Sequence, residues 1–108
     1  MYNIKRYKQA SDAAIDLDCT VGPGGAMLHG VYVHVDATVT ASEDLVISID
    51  SVDGTDYDTV LATQDLQGLT DYVYLPSAPL PFLQGDIINV AYTNTDTNRV
   101  GVQVNVLE

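Results

Sequence analysis

The sequence predicts an all-β domain: an antiparallel β-sandwich of seven to eight strands, with a jelly roll as the expected topology. Three observations lead there. Val100, Val102, Val104 and Val106 alternate with Gly101, Gln103 and Asn105, the period-two pattern of a strand with one face on a core and one in water. The same alternation recurs between clusters of Gly, Pro, Asn and Asp, and no stripe of helical period competes with it. A chain of 108 residues holding that many strands fits two stacked sheets. An immunoglobulin-like topology is the competitor, disfavoured by the absence of Trp and of a cysteine pair.

Residues 1–10 carry Lys5, Arg6 and Lys8 and no apolar alternation; they are expected to be a basic N-terminal arm. Residues 11–108 are expected to form the single sandwich domain. Over 11–20, Ala13, Ile15, Leu17 and Cys19 share one row, with Asp16 and Asp18 on the other. Gly22-Pro23-Gly24-Gly25 ends that strand. A long strand follows over 27–39, with Val31, Val33, Val35 and Val39 in one row, and Leu45, Ile47 and Ile49 mark a third. Asp53-Gly54 between apolar runs signals a hairpin. Shorter strands are expected over 59–63 and 71–75. Pro76, Pro79 and Pro81 exclude a central strand, so 76–81 is an extended connection or an edge. Strands over 87–93 and 99–107 close the chain around the polar turn Asn94–Asn98.

Charge narrows the partners. Fifteen acids face four bases for a net charge of −11, and after residue 8 the only base is Arg99. Such a surface repels phosphate backbones, so nucleic acid is not an expected partner. No apolar run approaches the roughly 18 residues of a membrane span, and no membrane partner is expected. The acidity serves solubility, or steers the chain toward a basic surface or a cation. No apolar stretch follows the basic start, so no secretory signal is visible.

Candidate chemistry is sparse. His29 and His34 have opposite parity and point to opposite faces unless a bulge at Gly30 intervenes. Asp50, Asp53, Asp56 and Asp58 crowd one loop around Gly54. Calcium is a candidate metal there, since hard cations take several carboxylate oxygens; a solvated Asp turn is the competing reading. Cys19 lies on an apolar row and reads as a buried, inert thiol. Gly22-Pro23-Gly24-Gly25 lacks the Lys-Ser/Thr of a phosphate loop, no serine stands in a nucleophile elbow, and the carboxylates come without an aromatic-lined cleft. No enzyme, catalytic residue or cofactor is expected. Tyr32, Tyr92, Tyr72 and Tyr74 fall on strands, where such rings suit packing, an interface or sugar stacking. The interface candidates are Lys5, Arg6, Lys8, Tyr72 and Tyr74.

Three segments resemble a known class. They are Asp50 to Leu61, Leu83 to Asp96, and the upstream Leu28-His29-Gly30-Val31-Tyr32-Val33. In this order they are similar to small structural proteins of tailed-bacteriophage virions. The resemblance implies a jelly-roll head decoration (cement) protein, made in the host cytoplasm and ending in the virion. It further implies a homo-oligomer, with a trimer favoured, bound to the major capsid protein, and it brings no catalytic residues. The alternative is a carbohydrate- or receptor-binding module of a phage tail or fibre; a non-viral extracellular adhesion module is a third reading.

Overall fold

The computed structural model describes residues 3–108. Nine strands form two antiparallel sheets: β1 (Ile4–Ser11), β2 (Ile15–Thr20), β3 (Ala26–Val35), β4 (Asp44–Asp50), β5 (Thr59–Asp65), β6 (Asp71–Tyr74), β7 (Leu80–Phe82), β8 (Ile87–Tyr92) and β9 (Val100–Leu107). One sheet has the order β1-β9-β3-β6, with β7 also on β3, and the other has the order β2-β8-β4-β5. With β7 set aside, the first strand pairs with the last, β2 with β8, β3 with β6 and β4 with β5. A long two-stranded ribbon folded over on itself gives those four pairings, and that is the jelly roll.

The core follows from the inner rows. Val100, Val102, Val104 and Val106 of β9 are buried beside Val31, Val33 and Val35 of β3. From the other sheet, Leu45 and Ile47 of β4 and Ile88 and Val90 of β8 are fully buried. The two central strands of each sheet thus supply most of the apolar layer, at roughly 1.5–3 kcal/mol per fully buried aliphatic side chain. Leu66 and Val39 add to this core from loops. The strand expected over 27–39 ends at Val35. Val39 nevertheless stays buried, because its N–H donates to the Leu69 carbonyl at 3.1 Å.

The basic arm is a strand. Residues 4–11 pair with β9 at every position from Ile4↔Leu107 to Ser11↔Val100, so the sandwich domain begins at Ile4 and not at residue 11. Met1 and Tyr2 of the expected arm lie outside the described residues. The row of β1 opposite the valines is Lys5, Tyr7, Gln9 and Ser11, without one aliphatic residue, so no apolar alternation marks it. An edge strand tolerates such a row because only one flank is covered. Its polar atoms are used: the Tyr7 hydroxyl donates to the Thr20 carbonyl at 3.0 Å, and Gln9 Oε1 accepts from the Asp16 N–H at 3.2 Å. Lys5 Nζ lies 4.8 Å from the Tyr7 ring centroid, a cation–π contact.

The second added strand is β7, in the proline segment. Pro81 sits on an edge, opposite Met27, the place in a sheet where proline is tolerated. Together β6 and β7 flank β3 on either side of a bulge, where the register slips between Leu28 and Gly30. At the other edge sheet, the β4–β5 hairpin is longer than a two-residue turn and includes one 3-10 turn over Thr55–Tyr57.

Two predictions arise from these contacts. Cys19 is fully buried, and burial, helped by Asp18, pushes its thiol up to about 12. The reactive thiolate is therefore scarce, and labelling by a disulfide reagent at pH 8 is expected to be at least about a hundredfold slower in native protein than in denaturant. Equal rates would contradict the burial. The second concerns acid. Asp96 accepts from the Thr40 N–H at 2.6 Å, the Thr40 hydroxyl at 2.9 Å and the Ala41 N–H. These bonds hold its carboxyl below the ordinary 3.8. A lowered folded value means stability present above 3.8 and lost as the pH falls through that lowered value. Melting curves of Asp96→Asn should thus fall less steeply with acid than wild type; parallel curves would remove Asp96 from the account.

Candidate functional site

Charge divides by sheet. The strands of the four-stranded sheet contain Asp16, Asp18, Asp44, Asp50 and Asp65 and no Lys, Arg or His. Those of the five-stranded sheet contain Lys5, Arg6, Lys8, His29 and His34 and one acid, Asp71. Stacked sheets lie about 10 Å apart, more than the roughly 8 Å over which physiological salt screens charge. The two outer faces therefore act as separate electrostatic surfaces, one acidic and one weakly basic.

The same end of the molecule joins both. There the β4–β5 loop and the 83–86 turn meet on Asp86, which is 5% exposed. Its two carboxylate oxygens accept from the Val52 and Leu83 N–H groups, each at 2.9 Å. Its backbone carbonyl accepts from Val21 N–H at 2.9 Å, and the Val21 carbonyl accepts from Gly85 N–H at 2.9 Å. The buried carboxylate thus ties the β4–β5 loop to the 83–86 turn, and backbone bonds add the Val21 segment, as buried polar groups must be satisfied to be tolerated. The locked loops hold apolar side chains outward: Val52 is 51% exposed, Tyr57 64% and Leu83 61%.

An open groove of about 370 Å3 lies on the outer face of the acidic sheet. Asp18, Asp50, Asp58 and Asn89 contribute polar atoms to it, and Ile49 and Val60 contribute apolar surface. Asn89 Nδ2 donates to Asp16 and Asp18, each at 2.7 Å, and Asp58 Oδ1 accepts from the Ser51 N–H at 2.8 Å. Asp50 and Asp58 of the candidate calcium loop line this groove, whereas Asp53 and Asp56 do not. Among the described residues no three His, Cys, Asp or Glu side chains gather as a metal site would need. The loop is spread by its 3-10 turn and by the Asp58–Ser51 bond, so the four carboxylates do not converge.

The other candidates separate as well. Tyr72 and Tyr74 are not an exposed platform: they stand opposite Val33 and Val31 and pack half-buried against the core. Burial, then Tyr74, raises the Tyr72 hydroxyl above its usual range. Arg6 Nε donates to Asn105 at 3.0 Å on the outer face of the five-stranded sheet, and Lys8 is exposed on the same row. His34 pairs with Asp71 at 2.7 Å, and His29 is exposed at the bulge. Sequence reading missed Val52, Leu83 and Asp86 as one unit. The Gly85-Asp86 step before β8 was the available signal, but its bond to Val52 spans 34 residues.

Comparison with protein-family models and with curated protein sequences finds no match.

Proposed function

We propose that this chain is a non-enzymatic structural protein of a tailed-phage virion, a decoration protein that binds the head exterior as a homo-oligomer, with a trimer expected. The observation that carries the reading is where the resembling segments lie. Leu28 to Val33 falls in central strand β3, and Asp50 to Leu61 and Leu83 to Asp96 meet on the Asp86 carboxylate. The resembling segments therefore fall in both sheets of the sandwich and in the loop and turn joined at Asp86. A reinforcing protein needs a stable sheet frame and a rigid contact surface, and repeated copies on a lattice gain avidity from weak contacts.

Saturable attachment of the purified protein to emptied heads, at a fixed copy number per capsomer, is the expected result. Binding to a glycan array and to host cells, with none to heads, would favour the carbohydrate- or receptor-binding module instead. That second reading draws on the open groove lined by Asp18, Asp50, Asp58 and Asn89. The structure changes how Lys5, Arg6 and Lys8 are tested. Deleting residues 1–8 would strip most of β1 from β9, so lost binding would report unfolding; substitutions of the exposed bases are the proper probe.

A further inference from the structure

We infer that copies of this chain associate head to tail, the basic outer row of β1 on one copy entering the acidic groove and apolar lip of the next. This rests on the homo-oligomer part of the proposed reading and names its two surfaces. The acceptor half is the groove carrying Asp18, Asp50 and Asp58; exposed Val52 follows closely after Asp50 in the chain, and Asp86 ties it to exposed Leu83. Val60 in the groove lining, 58% exposed, suits the aliphatic stem of a lysine or arginine, with the cationic head among the carboxylates. Because Asp86 fixes the backbone at both Val52 and Leu83, little ordering remains to oppose docking.

The donor half is supplied by the chain itself. Ile4, 70% exposed, stands on the same row as Arg6 and Lys8, an apolar residue followed by two bases. Outside β1 the one remaining base is Arg99, already 3.4 Å from Asp12. Face-to-face pairing of like surfaces is opposed: groove on groove sets carboxylates together, and β1 on β1 sets bases together. Only the unlike pairing joins opposite charges. Ile4, at the start of β1, lies opposite Leu107, and the loops held by Asp86 join that end of the sandwich through Val21. Both halves thus lie at one end, on different sheets, an arrangement in which heterologous contacts can close into a ring.

The test is the molar mass of the purified protein by light scattering, with circular dichroism to confirm folding. Wild type is expected at a small multiple of 11.6 kDa. Arg6→Glu with Lys8→Glu, and separately Asp18→Lys with Asp50→Lys, should each fall to monomer. All four positions are exposed, the Asp50 carboxylate is used by no other described residue, and Asn89 keeps Asp16 as a partner when Asp18 is replaced. Combining the four substitutions should restore the wild-type mass. A monomeric wild type, an oligomer indifferent to both reversals, or reversals that the combination does not rescue would each overturn the pairing. No heads are present in this experiment, so its failure leaves head attachment to be judged separately.

Discussion

Asp86→Ala is expected to lower stability by roughly 2–4 kcal/mol, because two part-buried backbone N–H groups lose a charged acceptor at about 1–2 kcal/mol each. Those groups belong to Val52 and Leu83. In a domain of this size the loss corresponds to a fall in Tm of about 10–20 °C. Asp86→Asn retains one acceptor oxygen and turns an amide N–H toward the other donor, so it should fall between wild type and alanine. Thermal melts followed by circular dichroism read the series. An alanine variant within about 0.5 kcal/mol of wild type, the range of ordinary surface changes, would show that the β4–β5 loop and the 83–86 turn are not held by this carboxylate.

Gly25→Ala is the second large effect. Gly25 sits at φ +76, and a Cβ there would lie 2.6 Å from the Phe82 carbonyl oxygen. That oxygen is backbone on β7 and cannot swing aside. The left-handed conformation alone costs a residue with Cβ about 1–2 kcal/mol, and the clash adds displacement of β7 from β3, for a total of about 3 kcal/mol or more. Gly24→Ala is the internal control: φ is +87 but a Cβ meets nothing within 4 Å, so only the conformational cost applies. Equal destabilisation by the two would mean that the turn does not press on β7.

These two positions mark the limits of what the residues disclose in order. The valines of β9 declare a strand because their partners are apolar too, and period two needs no knowledge of the neighbour. In β1 the row facing those valines is polar, so its pairing can be found only from the strand beside it. Tyr72 and Tyr74 alternate with Asp71 and Val73; which row turns inward depends on the register with β3, and that register is set at a distance. The Asp-rich loop was legible as a loop, and Gly54 at φ +120 bears out its turn. Its acids are divided between groove and solvent by the 3-10 turn and by Asp86, and local composition does not encode that division.

The integration of the basic segment underlies the basic surface: it leaves Lys5, Arg6 and Lys8 as strand residues, Arg6 and Lys8 on the outer row and Lys5 on the inner one, and not on a loose tether. Amide hydrogen exchange measured residue by residue addresses this directly. Residues 4–11 should include amides protected to the degree of other edge strands, alternating with unprotected ones along the free flank. Exchange of the whole segment at unfolded-chain rates, with β9 still protected, would contradict the account.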